Sequence, residues 1–252
     1  MAGCFARGFK MHLTDFKVLA FDCYGTLIDW ETGIYTALQP LLAKLGNPMS
    51  RDQALEIFAR HESDQEEQTP EMIYSDLLGV VYRRLAAEWN VAVTEAEALT
   101  FGGSVADWPA FPDSVEALDY LKRYYKLVIL SNVDRESFRA SNRRLQVEFD
   151  AIYTAQDIGS YKPSPRNFAF LVSHVGAMGF AKPDILMTAQ SLFHDHVQAN
   201  RIGIASAWID RRHATEGWGA TMEPETLPHL DFHFRSMGEL VEAHKRECAA
   251  QS

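Results

Sequence analysis

The stretch Lys17-Val18-Leu19-Ala20-Phe21-Asp22-Cys23-Tyr24-Gly25-Thr26-Leu27 decides the fold of this 252-residue chain. Its first half is a short apolar run that ends at Asp22, and the turn-forming pair Gly25-Thr26 follows. A short apolar run closed by a turn is typical of a parallel strand that is buried on both faces. We therefore predict a strand here, with the carboxylate of Asp22 at its carboxyl end.

The same pattern recurs three times further along the chain, at residues 126–131, 184–188 and 205–210. Amphipathic helical patterns separate these runs, at residues 114–124, 135–145, 165–175 and 194–201. Strands that alternate with helices of this length indicate a parallel sheet with helices on both faces. The sequence therefore predicts an α/β fold with a Rossmann-like parallel sheet.

Residues 33–108 depart from this alternation, since they hold amphipathic helical stretches and no strand-like run. The two prolines of Trp108-Pro109-Ala110-Phe111-Pro112 stiffen the return to the sheet. We predict a core domain formed by residues 13–32 and 109–252, and an inserted all-helical cap domain formed by residues 33–108.

Composition excludes several classes of protein. The chain has 24 Lys and Arg against 34 Asp and Glu, a net charge of −10, and no dense basic run, which argues against nucleic-acid binding. No apolar run approaches the roughly 20 residues that cross a bilayer, so no membrane association is expected. The three cysteines (Cys4, Cys23 and Cys248) form no disulfide framework, and no secretory signal is evident, which favours the cytoplasm.

Polar side chains follow the predicted strands where their carboxyl ends should meet. In open α/β sheets the ligand binds at that edge. The residues are Asp22, the pair Ser131-Asn132, Lys162 within Tyr161-Lys162-Pro163, and Asp195. In this order they resemble the motifs of the haloacid dehalogenase superfamily, and more closely those of its L-2-haloacid dehalogenase (type II) branch. The resemblance implies a Rossmann-like core with a helical cap.

The resemblance also implies four catalytic roles. Asp22 is the expected nucleophile, whose carboxylate attacks carbon and forms an ester. Lys162 is expected to keep Asp22 ionised and to attract an anionic substrate. Asp195 is expected to help position Lys162 and the hydrolytic water, and Thr26 to support Asp22.

A second set of residues is expected to bind the substrate. Ser131 and the backbone of Asn132 resemble the site that holds the substrate carboxylate, and Tyr24 is the expected pocket wall. Arg60 corresponds to the halide-binding arginine of the cap if one gap is allowed in the alignment. His194 precedes Asp195 and is expected to face the pocket.

Tyr24 separates dehalogenase from phosphatase chemistry. Phosphatases of the superfamily carry a second Asp two positions after the nucleophile, which protonates the leaving alcohol, and this chain has Tyr24 there. A halide leaves without a proton, whereas tyrosine holds its proton with a pKa near ~10. Asp195 also lacks a neighbouring acid of the kind that magnesium prefers. We therefore expect neither a metal nor another cofactor.

Some positions depart from the type II pattern. Gln190, Leu192 and Phe168 stand where that pattern has Ser, the halide-contacting Asn and Tyr, respectively. These changes affect the expected halide cradle and leave the nucleophilic residues in place. His61-Glu62 lacks the spacing of a zinc motif and is expected on a solvated helix face. His196 is expected at the surface or at a helix cap.

These observations predict hydrolytic dehalogenation of a small 2-haloalkanoic acid to the 2-hydroxy acid, without metal, through an aspartyl ester. The expected partner is a small anionic organic substrate, and the family suggests a homodimer through the cap. Two alternatives stay open: a magnesium-dependent small-molecule phosphatase, and a catalytically silent relative that only binds.

Overall fold

A computed structural model describes residues 11–251, so Cys4 lies outside the described part. Its centre is a six-stranded sheet with strand order 3-2-1-4-5-6, in which every neighbouring pair is parallel. The predicted α/β class and Rossmann-like sheet are confirmed. The strands are β1 (Val18–Phe21), β2 (Lys126–Ser131), β3 (Ala151–Thr154), β4 (Ile185–Ala189), β5 (Ala205–Ile209) and β6 (Phe232–Phe234).

Strand β1 shows why the apolar run forms a central strand. Its side chains alternate between the two faces of the sheet. Leu19 and Phe21 belong to one buried apolar cluster, and Val18 and Ala20 belong to another. All four are fully buried, so both faces of β1 are covered. The carboxyl end of β1 therefore lies between those of β2 and β4, on the side of the sheet where the parallel strands end.

The four-strand prediction was incomplete, because the sheet also contains β3 and β6. These two are its edge strands, they are short, and most of their side chains are only partly buried. An edge strand does not need an unbroken apolar run, so the pattern that identified the central strands does not mark it.

Helices cover both faces of the sheet, near the predicted positions. The segment predicted as one helix over residues 194–201 begins instead as a π-helical turn, Leu192–His196, which continues into an α-helix. Four helices belong to the insertion described in the next paragraph. The α-helices that follow them in the chain are α5 (Ser114–Leu121), α6 (Arg135–Leu145), α7 (Ala155–Ile158), α8 (Pro165–Ala177), α9 (Val197–Ile202) and α10 (Met237–Gln251).

The insertion between β1 and β2 consists of helices, and residues 33–108 contain no strand. They are α1 (Trp30–Leu42), α2 (Arg51–Gln68), α3 (Tyr74–Glu88), α4 (Glu95–Gly102) and a 3₁₀ segment, Gly103–Asp107. The outgoing and returning chains lie side by side, since the amide of Asp29 donates to the carbonyl of Pro109 at 2.8 Å. This contact places the insertion over the carboxyl end of β1.

Among residues 11–251, no helix combines the length and the apolar character that spanning a membrane requires.

Candidate active site

A buried ammonium group links the two central carboxylates of the site. Nζ of Lys162 lies 2.9 Å from Oδ1 of Asp22 and 2.7 Å from Oδ1 of Asp195. Lys162 is 1% exposed and Asp195 is fully buried, so these contacts are shielded from water. Burial alone would lower the pKa of Lys162, but the two carboxylates outweigh burial and raise it. Lys162 therefore stays charged beside Asp22.

For Asp195, the effect of burial on the pKa outweighs the effect of the neighbouring charge. Burial raises the pKa of Asp195 to about 7, although the charge of Lys162 opposes the shift. Its second oxygen, Oδ2, accepts no hydrogen bond from the described residues. Near neutral pH this carboxylate is therefore able both to hold a proton and to release it.

Thr26 fixes the other oxygen of Asp22. Its hydroxyl donates to Oδ2 of Asp22 at 2.8 Å and accepts from the amide of Gln190 at 2.9 Å. The turn between Asp22 and Thr26 requires Gly25, whose φ is +90° and whose missing Cβ leaves room for Trp30. The nucleophile candidate is therefore held at both oxygens by residues from different loops.

Asn132 joins the loop after β2 to the loop that carries Lys162. Its side chain accepts from the amide of Lys162 at 2.7 Å and donates to the carbonyl of Lys162 at 3.1 Å. Ser131 is 1% exposed, and its hydroxyl oxygen has no hydrogen-bond partner among residues 11–251. The pair predicted to hold the substrate carboxylate thus offers one unused hydroxyl next to a well-anchored amide.

Asp22, Asn132 and Lys162 line a small cavity of about 30 Å³ between the sheet edge and the inserted helices, whereas Thr26, Ser131 and Asp195 are not part of its lining. Both parts of the chain contribute to its walls. The lining residues are Asp22, Tyr24, Trp30, Glu62, Glu66, Tyr74, Asn132, Val133, Lys162, Ser191 and His194.

Tyr24 forms part of the cavity wall, and its hydroxyl bonds to another residue. The hydroxyl lies 2.8 Å from Oγ of Ser141, and the ring packs edge-on against Trp108. Burial raises the pKa of Tyr24 well above its ordinary value. This phenol therefore cannot act as a general acid at neutral pH.

The prediction that Glu62 lies on a solvated helix face was wrong. Glu62 is 3% exposed and accepts from the hydroxyl of Tyr74 at 2.5 Å, and Glu66, one turn later on α2, is 6% exposed. The sequence carried a signal for both positions: they continue the face of α2 that contains the buried Leu55 and Phe58 at helical spacing. Acids on an apolar helix face indicate a buried polar site.

Burial shifts the titration of both acids toward the neutral form. It raises the pKa of Glu62 to about 8, and the hydrogen bond from Tyr74 only partly opposes this shift. It also raises the pKa of Glu66 well above its ordinary value, and neighbouring Glu62 adds to the effect. Glu62 therefore largely holds its proton near neutral pH, and burial favours the neutral form of Glu66 as well.

The two histidines of the π-helical turn differ in role. His194 lines the cavity; its Nδ1 lies 3.2 Å from Oγ of Ser191, and its Nε2 has no hydrogen-bond partner among the described residues. Burial lowers the pKa of His194 to about 3, so it is neutral. The expectation that His196 lies at the surface or a cap was wrong, since it is fully buried and bonds to the carbonyl of Ala189 at 2.9 Å.

The structure does not bring Arg60 to this cavity. Its guanidinium is about half exposed and pairs with Glu88 at 2.8 Å on the outer side of the insertion. Phe168 and Leu192, two of the positions that depart from the type II pattern, are buried, and neither lines the cavity. Gln190 instead supports the site through its backbone.

The residues around Asp22 do not fit a resident magnesium ion. The ammonium of Lys162 already contacts both Asp22 and Asp195, and Tyr24 supplies no carboxylate. Within the described residues, no group of three or more His, Cys, Asp or Glu side chains is arranged to hold a metal. Magnesium prefers a hard, oxygen-rich site, so we derive no step through it.

Comparison with known proteins agrees with this fold and these motifs. The family model of haloacid dehalogenase-like hydrolases matches residues 16–187, well over half of the chain. The chain therefore belongs to the family of haloacid dehalogenase-like hydrolases.

Within that family the chain is related to the L-2-haloacid dehalogenases. It is 24% identical over 244 residues to (S)-2-haloacid dehalogenase 4A from Burkholderia cepacia, covering 89% of this chain and 93% of that protein. The L-2-haloacid dehalogenase of Xanthobacter autotrophicus, solved with chloropropionic acid covalently bound, superposes with a TM-score of 0.70 at 18% identity, covering 91% and 98%.

A magnesium-bound relative has a similar fold. The HAD-hydrolase YfnB of Bacillus subtilis superposes with a TM-score of 0.70 at 16% identity, covering 91% of this chain and 99% of that one. At these identities the superpositions establish the fold, and the reaction has to be argued from the site.

Proposed function

We propose that this chain hydrolyses the carbon–halogen bond of a small 2-haloalkanoic acid through an ester on Asp22, without a metal. The observation that carries the proposal is the fixed carboxylate of Asp22 on the cavity wall, held by Lys162 and Thr26. Reacting groups that are held in place avoid much of the entropic cost of reaching the transition state. The relative with covalently bound chloropropionic acid supports a covalent step on this fold.

In the first step an oxygen of Asp22 attacks the carbon that carries the halogen. The new C–O bond forms as the C–X bond breaks, and the halide leaves with the bonding electrons. The halide needs no proton. This agrees with the presence of Tyr24, whose hydroxyl is bonded to Ser141, at the position where phosphatases of the superfamily have a second acid. The substrate carboxylate lies beside Ser131 and Asn132 in this proposal.

In the second step water attacks Cγ of the Asp22 ester. Asp195 accepts a proton from the water, for which a pKa of about 7 suits it. Lys162 stabilises the negative charge that develops on the ester oxygens. The bond from Cγ to the substrate oxygen breaks as Asp195 returns its proton to that oxygen, so the 2-hydroxy acid carries an oxygen from Asp22. The second proton of the water leaves the regenerated carboxyl of Asp22. Each turnover releases one halide and one proton.

Isotope labelling tests this order of events. In a single turnover of 2-chloropropionate with excess enzyme in heavy-oxygen water, we expect the label on the peptide that contains Asp22 and none in the product. Asp22→Asn should release no halide, unless slow deamidation restores the acid. Label in the product of the first turnover would contradict the ester and make Asp22 at most a base.

A substrate panel separates the alternatives. We expect halide release from chloroacetate in EDTA and no hydrolysis of p-nitrophenyl phosphate with magnesium. Activity that vanishes in EDTA and returns with magnesium would favour the phosphatase. Inactivity on both compounds would favour a binding protein.

A further inference from the structure

The cavity lacks a free positive charge for an anionic substrate. Of its lining residues only Lys162 is cationic, and its ammonium already contacts Asp22 and Asp195. The inserted helices contribute Glu62 and Glu66 to the wall, and no arginine lines it. A substrate carboxylate therefore has to be held by hydrogen bonds from neutral donors, since burying an uncompensated charge is costly.

Glu66 has the geometry to be such a donor. Its Oε1 accepts from Nδ2 of Asn132 at 3.0 Å, next to the expected position of the substrate carboxylate. Its Oε2 lies 3.8 Å from Nε2 of His194, beyond hydrogen-bond distance. His194 is itself more than nine-tenths buried, and within the described chain its Nε2 has no partner. Nε2 of His194 is thus an unsatisfied buried group at the cavity, and Oε2 of Glu66 lies beside it, so a ligand can bind to both.

Resting on the proposed function, we infer that Glu66 determines substrate specificity: it donates the proton on Oε2 to the substrate carboxylate, and the site binds a 2-halo acid only while that proton is present. When Glu66 is ionised, it repels the substrate carboxylate. A neutral carboxamide avoids this repulsion, because its NH₂ group donates to an ionised Glu66 and its carbonyl accepts from a protonated one. The site therefore also takes 2-halo carboxamides.

The groups around Glu66 leave its titration recognisable. Burial raises its pKa, and Glu62 on the same helix adds to this effect. Above neutral pH, Lys162 and the phenols of Tyr74 and Tyr161 keep their protons. His194 stays neutral. The titratable groups that line the cavity with Glu66 are Glu62 on α2, Tyr74 on α3, Lys162 before α8, His194 after β4, and Asp22 and Tyr24 after β1; Tyr161, beside Lys162, also interacts electrostatically with Glu66.

Binding of unreactive analogues tests the inference without any carbon–halogen chemistry. We would measure the Kd of lactate and of lactamide by calorimetry from pH 6 to pH 10. For wild-type enzyme the lactate Kd should rise about tenfold per pH unit once Glu66 ionises, because one proton is lost. The lactamide Kd should change less than about threefold. Equal pH dependence for the two ligands would overturn the inference.

The variant Glu66→Gln mimics the protonated acid, since its amide always donates. The ratio of the lactate Kd of wild type to that of Glu66→Gln should stay within about threefold at pH 6 and grow about tenfold per pH unit above the pKa of Glu66. The ionisation of Asp195 affects both proteins and cancels in this ratio. A ratio that stays constant would assign the pH dependence to another group.

Two variants and one further measurement complete the test. Glu67→Gln changes the exposed neighbour on α2 and should behave as wild type. Glu62→Gln should keep the tenfold loss of lactate affinity per pH unit but with a lower midpoint, because Glu62 contributes to the raised pKa of Glu66. If Glu66→Gln does not fold, wild-type calorimetry in two buffers of different ionisation enthalpy still decides. Binding of lactate should be accompanied by uptake of about one proton above the pKa of Glu66, and binding of lactamide by none. No proton uptake with lactate would overturn the inference.

Failure of the proposed function appears separately, as absence of halide release from 2-chloropropionate at every pH.

Discussion

The two walls of the cavity treat charge in opposite ways. On the sheet side, Lys162 lies within 2.9 Å of both Asp22 and Asp195, and Thr26 binds the remaining oxygen of Asp22. On the side of the insertion, Glu62 and Glu66 are equally buried and have no cation of their own. The sheet side keeps its charges by pairing them, whereas burial on the other side favours neutral acids.

This difference divides the tasks of the site between the two parts of the chain. In the proposed reaction the nucleophile has to be fixed, and the contacts of Asp22 with Lys162 and Thr26 provide this. The proposed recognition of the substrate requires donors that fit its polar end, a task we assign to Glu66. We therefore expect changes on the sheet side to alter turnover, and changes on the insertion side to alter pH dependence and choice of substrate.

The largest effect is expected from Lys162→Met, which keeps an unbranched apolar side chain and removes the charge. Asp22 and Asp195 then lose their shared counter-ion, so Asp22 is no longer held in place and the charge that develops on the ester oxygens is not stabilised. We expect kcat for halide release to fall on the order of 10²-fold or more. The matched variant Lys245→Met, at an exposed position on α10, should keep its activity. Near-full activity of Lys162→Met would remove this residue from the mechanism.

A smaller effect is expected from Thr26→Val, which keeps the shape of the side chain. It removes the hydroxyl that donates to Asp22 and accepts from the amide of Gln190. We expect kcat to fall roughly tenfold and the protein to lose about 1–3 kcal/mol of stability, since a buried amide is left unpaired. Thr26→Ser keeps the hydroxyl and should retain most of the activity. Near-full activity of Thr26→Val together with a loss in Thr26→Ser would show that packing of the methyl group, rather than the hydrogen bonds, matters.

The sheet side of the site was predictable because parallel strands place their carboxyl ends at one edge. Asp22 and Ser131 end or follow apolar runs that are visible without any structure, and Asp195 comes shortly after a third. Lys162 required the resemblance to a family, because it lies in a loop that no periodicity positions. The edge strand β3 was not predicted because only one of its four side chains is buried, so it shows no continuous apolar run.

The residues on the insertion side were harder to assign, because their role depends on which face of α2 packs against the sheet. Glu62 looked like part of a solvated helix, and only the packing of α2 over the carboxyl end of β1 places it in the cavity. Arg60, which precedes it by two positions, points to the other side of the same helix. Helical spacing separates these faces, but the sequence alone does not say which one meets the sheet.

The acids of the insertion should also make stability depend on pH. The pKa of Glu62 rises from its ordinary value to about 8 on folding, so the folded protein binds more protons than the unfolded chain between about pH 4.5 and pH 8. Stability must then fall as pH rises through this interval. Glu62→Gln, which still accepts from Tyr74, should remove a loss on the order of a few kcal/mol. Chemical denaturation at pH 5 and pH 8 measures it; an unchanged difference between the two pH values would contradict the assignment.

The smallest effect is expected from Arg60→Ala, and this result sharpens the contrast between the walls. The family resemblance assigns Arg60 to the substrate, whereas the structure pairs its half-exposed guanidinium with Glu88, away from the cavity. An exposed ion pair contributes less than about 1 kcal/mol, so stability should barely change. We expect kcat/KM for 2-chloropropionate to stay within about twofold of wild type, with Glu88→Gln as the matched change at its partner. A loss of tenfold or more in Arg60→Ala but not in Glu88→Gln would mean that Arg60 reaches the substrate during turnover. The insertion would then supply the cation that its inner wall lacks.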